Sequence, residues 1–192
     1  MDAHIEKQET LFSGKFLTFK KISYTDARGK GRCWEAVERT GGTGGAHAVF
    51  IVAKIVPDDE LVLVRQFRPP AGKRMVEFPA GLIDPGESAE TTAARELYEE
   101  TGFEGKLRFC SPGGFSSPGM SGESIVLAAM EIDGTKYPSG MIPENHQEEC
   151  ENIEVFRVKA AELGKFVKAM EAAGCGIDSK IYTVLAFREF GW

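Results

Sequence analysis

The stretch Gly81-Leu-Ile-Asp-Pro-Gly-Glu87-Ser-Ala-Glu-Thr-Thr-Ala-Ala-Arg95-Glu96-Leu97-Tyr-Glu99-Glu100-Thr-Gly102-Phe103 decides how this chain is read. The Ser88 hydroxyl can cap a helix N-terminus and Gly102 can adopt the left-handed conformation that ends one, so a helix of roughly four turns is expected between them. Ala89, Ala93 and Leu97 would form its buried stripe. At about 100° per residue, Glu96, Glu99 and Glu100 fall on one neighbouring face, because positions i, i+3 and i+4 are adjacent on a helix. Like charges at these spacings repel, and Glu99 and Glu100 sit at the end where the helix dipole disfavours anions. Either the face is fully solvated or a bound cation reverses the electrostatics. Hard oxygen ligands point to Mg²⁺, with Mn²⁺ as the alternative.

Composition narrows the class. A length of 192 residues with 42% hydrophobic content suffices for one sizeable core and is short for two ordinary domains. The formal net charge of -6 argues against a general nucleic-acid binder, which would carry a basic face for phosphates. A small anionic ligand stays compatible, since a few local arginines and a metal outweigh a modest global charge. Cys33, Cys110, Cys150 and Cys175 lack zinc-like or redox-pair spacing and read as free thiols of a reducing cytoplasm. The N-terminus lacks a basic-then-apolar signal and no apolar run is long enough to span a bilayer, so a soluble cytoplasmic protein without a membrane partner is expected.

Residues 15–24 and 33–39 alternate around a turn at 26–31 and read as an antiparallel β-hairpin, the core of an N-terminal appendage over 1–42. The glycine-rich run at 41–45 lacks the Gly-Lys-Ser/Thr ending of a phosphate loop and reads as a linker. A catalytic domain over 43–192 follows. It opens with apolar strands at 48–56 and 61–67 forming a core hairpin, and a short strand at 75–78 delivers Pro79, Ala80 and Gly81 to the helix. Further strands are expected at 106–110, 124–132 and 153–158, and helices at 160–173 and 179–190. The loops at 111–122 and 135–150 are long enough to be functional.

The pattern G-x5-E-x7-R-E-L-x-E-E-x-G-F matches the Nudix box at every defining position over residues 81–103, and the chain resembles a Nudix hydrolase. The resemblance implies an α/β/α sandwich with a mixed sheet and Mg²⁺-dependent cleavage of a nucleoside diphosphate linked to another moiety. Arg65-Gln-Phe-Arg68-Pro-Pro70, Glu77-Phe-Pro-Ala-Gly81 and Ser117-Pro118-Gly119 narrow it to the ADP-ribose (ADP-sugar) pyrophosphatase branch, whose products are AMP and a sugar phosphate. By the same resemblance Glu96 and Glu100 are the leading metal ligands, with Glu99 beside them and the carbonyl of Ala80 as a backbone ligand. Arg95 looks like an orienting partner for these carboxylates, and Glu87 like a brace for the loop before the helix.

The branch places an adenine-stacking aromatic and phosphate- or ribose-binding cations where this chain has Trp34, Arg39 and Arg68, often across a dimer interface. An aromatic face with two guanidinium groups suits an adenine diphosphate; otherwise Trp34 fills a core and Arg39 makes a surface ion pair. In this branch the general base comes from an acidic loop before a late strand, where Glu151 and Glu149 are both candidates here and a solvated loop is the alternative. Glu123 is a further candidate for a ligand-facing carboxylate. Ser117 stands where some relatives carry an acid near the terminal ribose. His4, His47 and His146 form no cluster and receive no role. A homodimer is expected, since Phe16, Phe19, Ile22 and Trp34 give the hairpin more apolar surface than a lone ribbon can bury. Competing readings are a GDP-mannose or other nucleotide-sugar pyrophosphatase, a hydrolase of oxidised nucleoside triphosphates, and a nucleotide-binding regulator without turnover.

Overall fold

The computed structural model describes residues 2–40, 46–147 and 151–190; the glycine-rich run at 41–45 and Glu149 lie outside them. The elements run β1 (His4–Ser13), β2 (Leu17–Thr25), β3 (Gly31–Arg39), β4 (Ala48–Val56), β5 (Glu60–Arg68), β6 (Lys73–Glu77), β7 (Ala80–Leu82) and α1 (Ala89–Thr101). They continue with β8 (Lys106–Cys110), β9 (Gly114–Phe115), β10 (Ser124–Asp133), β11 (Glu154–Lys159), α2 (Leu163–Ala172), β12 (Gly176–Ile177) and α3 (Ser179–Glu189). Two compact units result, Met1–His47 with Gly113–Ile125, and Ala48–Pro112 with Val126–Trp192.

In the first unit β1, β2 and β3 form an antiparallel sheet in that order. The hairpin expected from sequence is β2–β3, paired from Leu17↔Arg39 to Thr25↔Gly31 without a break. Its turn is made by Asp26, whose Oδ1 accepts the backbone N–H groups of Arg28 and Lys30 at 2.9 Å each. The third strand, β1, was not expected. Register shifts between Ile5 and Lys7 and between Thr10 and Phe12 interrupt it, and each such bulge flips the inside-outside alternation by which a strand is recognised. The segment Ser117–Ser121 is held to β3 by the Val37 N–H, which donates to the Met120 carbonyl at 3.0 Å.

The second unit is built on a sheet of order β12-β6-β5-β4-β10-β8, with β11 added to β5 and β7 to β4. The sheet is mixed, because β12 runs parallel to β6 while β5–β6, β5–β11 and β8–β10 are antiparallel. Both faces are covered, and the residues say how. Along β5, Leu61 and Leu63 enter a cluster with Leu163 and Val167 of α2 and Ile181 of α3, while the alternate residues Val62 and Val64 point to the opposite face and are also fully buried. Helix α1 packs against β4, β7 and β8 through Ala93 and Leu97, both fully buried. This is the mixed-sheet α/β architecture expected from the sequence.

The β4–β5 hairpin pairs only near its turn, at Lys54↔Leu61 and Ile55↔Glu60. At its other end β4 gives Ala48, Val49 and Phe50 to β7. That splaying brings Ala80 and Gly81 alongside α1. Behind the sheet, Arg157 of β11 is 4% exposed and donates to Glu60 at 2.7 Å, Asp58 at 3.2 Å, and the carbonyls of Pro138 and Met141 at 2.8 and 2.9 Å. A buried guanidinium saturated in this way ties the chain after β10 to the sheet.

Candidate active site

Helix α1 begins and ends where its local sequence dictates. The Ser88 hydroxyl accepts the Thr91 N–H at 3.2 Å, and Gly102, at φ 71, donates to the Tyr98 carbonyl at 2.8 Å. Between the caps, the acidic face meets strand β7. Glu100 is 3% exposed, and its Oε2 accepts the Ala80 N–H at 3.1 Å. The Glu96 side chain is 15% exposed and that of Glu99 40%.

Arg95 organises the rest. Its Nη1 donates to Glu96 Oε1 and Glu99 Oε2, each at 2.9 Å, while Nε and Nη2 reach the two oxygens of Glu87 at 3.1 and 3.0 Å. Glu87 also accepts from Thr92 Oγ1 at 2.7 Å. The loop before the helix is therefore fastened to it by a two-pronged ion pair. The guanidinium beside Glu87 holds that carboxyl down to about 2, and Arg95 is itself held more firmly protonated by Glu87. Gly81 has no room for a side chain, since a Cβ there would collide with the Glu96 carboxylate.

A cavity of about 540 Å³ opens over this face, bounded by Arg68, Ala80, Gly81, Arg95, Glu96, Glu99, His146 and Glu151. Its charge is unbalanced. Burial pushes the Glu100 carboxyl up to about 8, and the charges of Glu96 and Glu151 push the same way against the Ala80 hydrogen bond. Glu96 is raised too, first by burial, with Arg95 opposing and Glu99 and Glu151 adding. Carboxylates crowded into a half-dry site fit a hard divalent cation, which would reverse that repulsion. Among the described residues no three acidic, histidine or cysteine side chains already close on one point as a cage; Glu96 and Glu99 are instead turned onto Arg95.

The site residues named from sequence fall into two groups. Ala80, Glu96, Glu99, Arg95, Arg68 and Glu151 line the one cavity, and Glu100 joins it through the Ala80 amide. Arg68 is oriented there by Glu77, which accepts from its Nε at 2.8 Å. Trp34, Arg39, Ser117 and Glu123 belong to the first unit. There Trp34 is 49% exposed, so it is no core residue. Its Nε1 donates to the Gly119 carbonyl at 3.0 Å, and its ring borders an apolar groove of about 380 Å³ with Ile5, Ile22, Tyr24 and Pro118. Arg39 forms a 2.8 Å ion pair with Glu123. The Ser117 carbonyl accepts the N–H groups of Met120 and Ser121, both at 2.9 Å, making the turn that carries Pro118 and Gly119.

Sequence reasoning gave His146 no role, yet it borders the cavity. No local pattern could have found it. Its position comes from its backbone N–H, which donates to the Glu99 carbonyl at 2.7 Å, and from its ring, stacked on Tyr98 with centroids 4.6 Å apart.

The NUDIX domain model matches residues 45–173. The chain is 36% identical over 175 residues to the ADP-ribose pyrophosphatase of Saccharomyces cerevisiae, covering 88% of this chain and 75% of that protein. It is 34% identical to the ADP-sugar pyrophosphatase of Mus musculus, covering 93% and 84%. Among solved structures, a crystal structure of an ADP compounds hydrolase superposes with a TM-score of 0.69 over 99% of this chain and 94% of the other, at 19% identity, a likeness of fold.

Proposed function

The chain belongs to the Nudix hydrolases, and we propose that it uses Mg²⁺ to hydrolyse the pyrophosphate of ADP-ribose or related ADP-sugars to AMP and a sugar phosphate. The observation that carries this reading is the cavity over α1, which Glu96, Glu99 and Glu151 line together with Arg68 and Arg95 and which Glu100 joins at the Ala80 amide. Relatives named for ADP-ribose and ADP-sugar hydrolysis, matched over most of the chain, supply the substrate class.

Glu96, Glu100 and the Ala80 carbonyl would hold the cation, with Glu99 beside them. When bound, the cation supplies neutralisation of the phosphate oxygens. Arg68 binds and orients the diphosphate, and Arg95 keeps Glu96 and Glu99 in place. Glu151 takes the proton of the attacking water as the new P–O bond forms, and the bridging oxygen leaves with the other phosphate. Glu149 is the second candidate for this role and lies outside the described residues. In the first unit, Trp34 offers its exposed ring to the adenine, and Arg39, Glu123 and Ser117 offer polar contacts to ribose or phosphate.

A homodimer is part of the reading, since Ile5, Leu11, Phe12, Phe16 and Leu17 of the first unit are all more than half exposed. Among the described residues no helix is long and apolar enough to cross a membrane, and Cys33, Cys110 and Cys175 are free thiols, which suits a cytoplasmic setting. Incubation of the purified protein with Mg²⁺ and a panel of ADP-ribose, other ADP-sugars, GDP-mannose and oxidised nucleoside triphosphates, with product identification, tests the reading. Preference for ADP-ribose with AMP as a product supports it; preference for GDP-mannose or for a triphosphate overturns it.

A further inference from the structure

The chain on either side of Glu151 is fastened on one side to the end of α1 and on the other to Ile153, the residue before β11. On one side, Pro143 and Glu144 lie so close over Gly102 that a Cβ there would collide with the Glu144 carbonyl. Two residues further on, the His146 N–H caps the Glu99 carbonyl at 2.7 Å, one of the helix-end acceptors without an intrahelical donor. The His146 ring stacks on Tyr98 at a centroid distance of 4.6 Å and an interplanar angle of 21°. Next, Gln147 turns its side chain to the residue before β11, where its Oε1 accepts the Ile153 N–H at 2.7 Å. Its Nε2 donates to Asn145 Oδ1 at 3.0 Å, and Asn145 Nδ2 reaches back to the Ile153 carbonyl at 3.5 Å. Ile153 itself is 5% exposed. Side-chain amides thus bond both backbone groups of the residue that leads into β11, two positions from Glu151.

We propose that Tyr98 and Gln147 are positioning residues for hydrolysis: the Tyr98–His146 stack and the Gln147–Ile153 bond together fix Glu151 at the cavity. This rests on Glu151 being the general base. The physical reason is geometric. A base works only within hydrogen-bond reach of the water it deprotonates, and a displacement of about 1 Å can cost on the order of 100-fold in rate. Here α1, which carries the acidic face, also carries Tyr98 on its last turn, so one rigid element sets the place of both partners. Neither Tyr98 nor Gln147 is among the described residues that line the cavity, so in this proposal both act through Glu151.

The test uses the full-length protein with Mg²⁺ and ADP-ribose, comparing Tyr98→Ala, Tyr98→Phe, Gln147→Met, Gln147→Glu and Glu151→Gln. Tyr98→Ala and Gln147→Met are expected to lower kcat by about tenfold or more with KM within about twofold, because a misplaced base weakens the transition state and not ground-state binding. Tyr98→Phe keeps the stacked ring and Gln147→Glu keeps the acceptor for Ile153, so both should restore most of kcat. Amide hydrogen exchange gives a readout independent of activity, with the Ile153 amide exchanging faster in Gln147→Met and recovering in Gln147→Glu. If Glu151→Gln keeps its turnover, the base assignment fails and the positioning role falls with it. If Glu151→Gln is inactive while Tyr98→Ala and Gln147→Met keep wild-type kcat, or if the conservative variants fail to restore it, the positioning role alone is overturned.

Discussion

The backbone N–H of Ala80 donates to Oε2 of Glu100 at 3.1 Å, joining strand β7 to the acidic face of α1 at the residue whose carbonyl is assigned to the cation. A carboxyl that is 3% exposed and pushed up to about 8 by its burial is held there against its own solvation. A cation that binds the folded state relieves that cost. Mg²⁺ at about 100 times its Kd should therefore raise the melting temperature of the wild type by roughly 5 °C or more. Glu100→Gln should be at least as stable as the wild type without Mg²⁺ and show little of the shift, as read by differential scanning calorimetry. An equal shift in both proteins would place the cation elsewhere.

Gly81→Ala tests how closely β7 approaches the helix. The new methyl would strike the Glu96 side chain, a flexible group that can move aside, so the fold should survive. Glu96 would leave its place beside Arg95 and the cavity. Turnover of ADP-ribose should fall by about tenfold or more while circular dichroism is unchanged. Wild-type turnover would show that the position of Glu96 does not matter.

Trp34 carries the adenine assignment. Its half-exposed ring, fixed at Nε1 by Gly119, can be removed without opening a core. Trp34→Ala should raise KM for ADP-ribose by about tenfold, since a stacked base is worth about 1–3 kcal/mol, and leave kcat nearly unchanged. Trp34→Phe should keep most of the affinity. Steady-state kinetics on a protein of unchanged oligomeric state separates this from a packing role, in which Trp34→Ala would disturb assembly and leave KM alone.

Arg157 is a stability prediction. Replacing it with Met would leave Glu60, 7% exposed, with Lys159 at 3.3 Å but without its 2.7 Å partner, and would strip donors from the Pro138 and Met141 carbonyls. Loss of one member of a buried ion pair costs about 3–5 kcal/mol when the other is left unpaired; with Lys159 still beside Glu60 that is the upper bound on the loss, which urea denaturation measures. A loss well under 1 kcal/mol would mean that the network adds nothing.

What could be read in advance was what is local. The caps Ser88 and Gly102, the stripe through Ala93 and Leu97, and the acidic face all follow from spacing along one helix, and the structure has them. The strands β4 and β5 declare themselves by continuous apolar runs. Strand β1 did not, because two bulges scramble its alternation, and β7, β9 and β12 are two or three residues long, too short for any period to register. The Glu87–Arg95 pair spans eight residues across a turn and a helix start, and the box motif hinted at it without its geometry. The contact of His146 with Tyr98 joins a loop to a helix far off in sequence, and that of Gln147 with Ile153 closes within the loop before β11, so no periodic pattern announces either. The exposure of Trp34 was equally out of reach, because it depends on what covers the sheet and not on the strand.

Product analysis on ADP-ribose, with wild type and Glu100→Gln assayed side by side in Mg²⁺, tests the central claim most directly. The wild type should release AMP and ribose 5-phosphate in equal amounts, and Glu100→Gln, with unchanged circular dichroism, should turn over at least about 100-fold more slowly. No release of AMP by the wild type, or a Glu100→Gln rate within about threefold of it, would contradict the account.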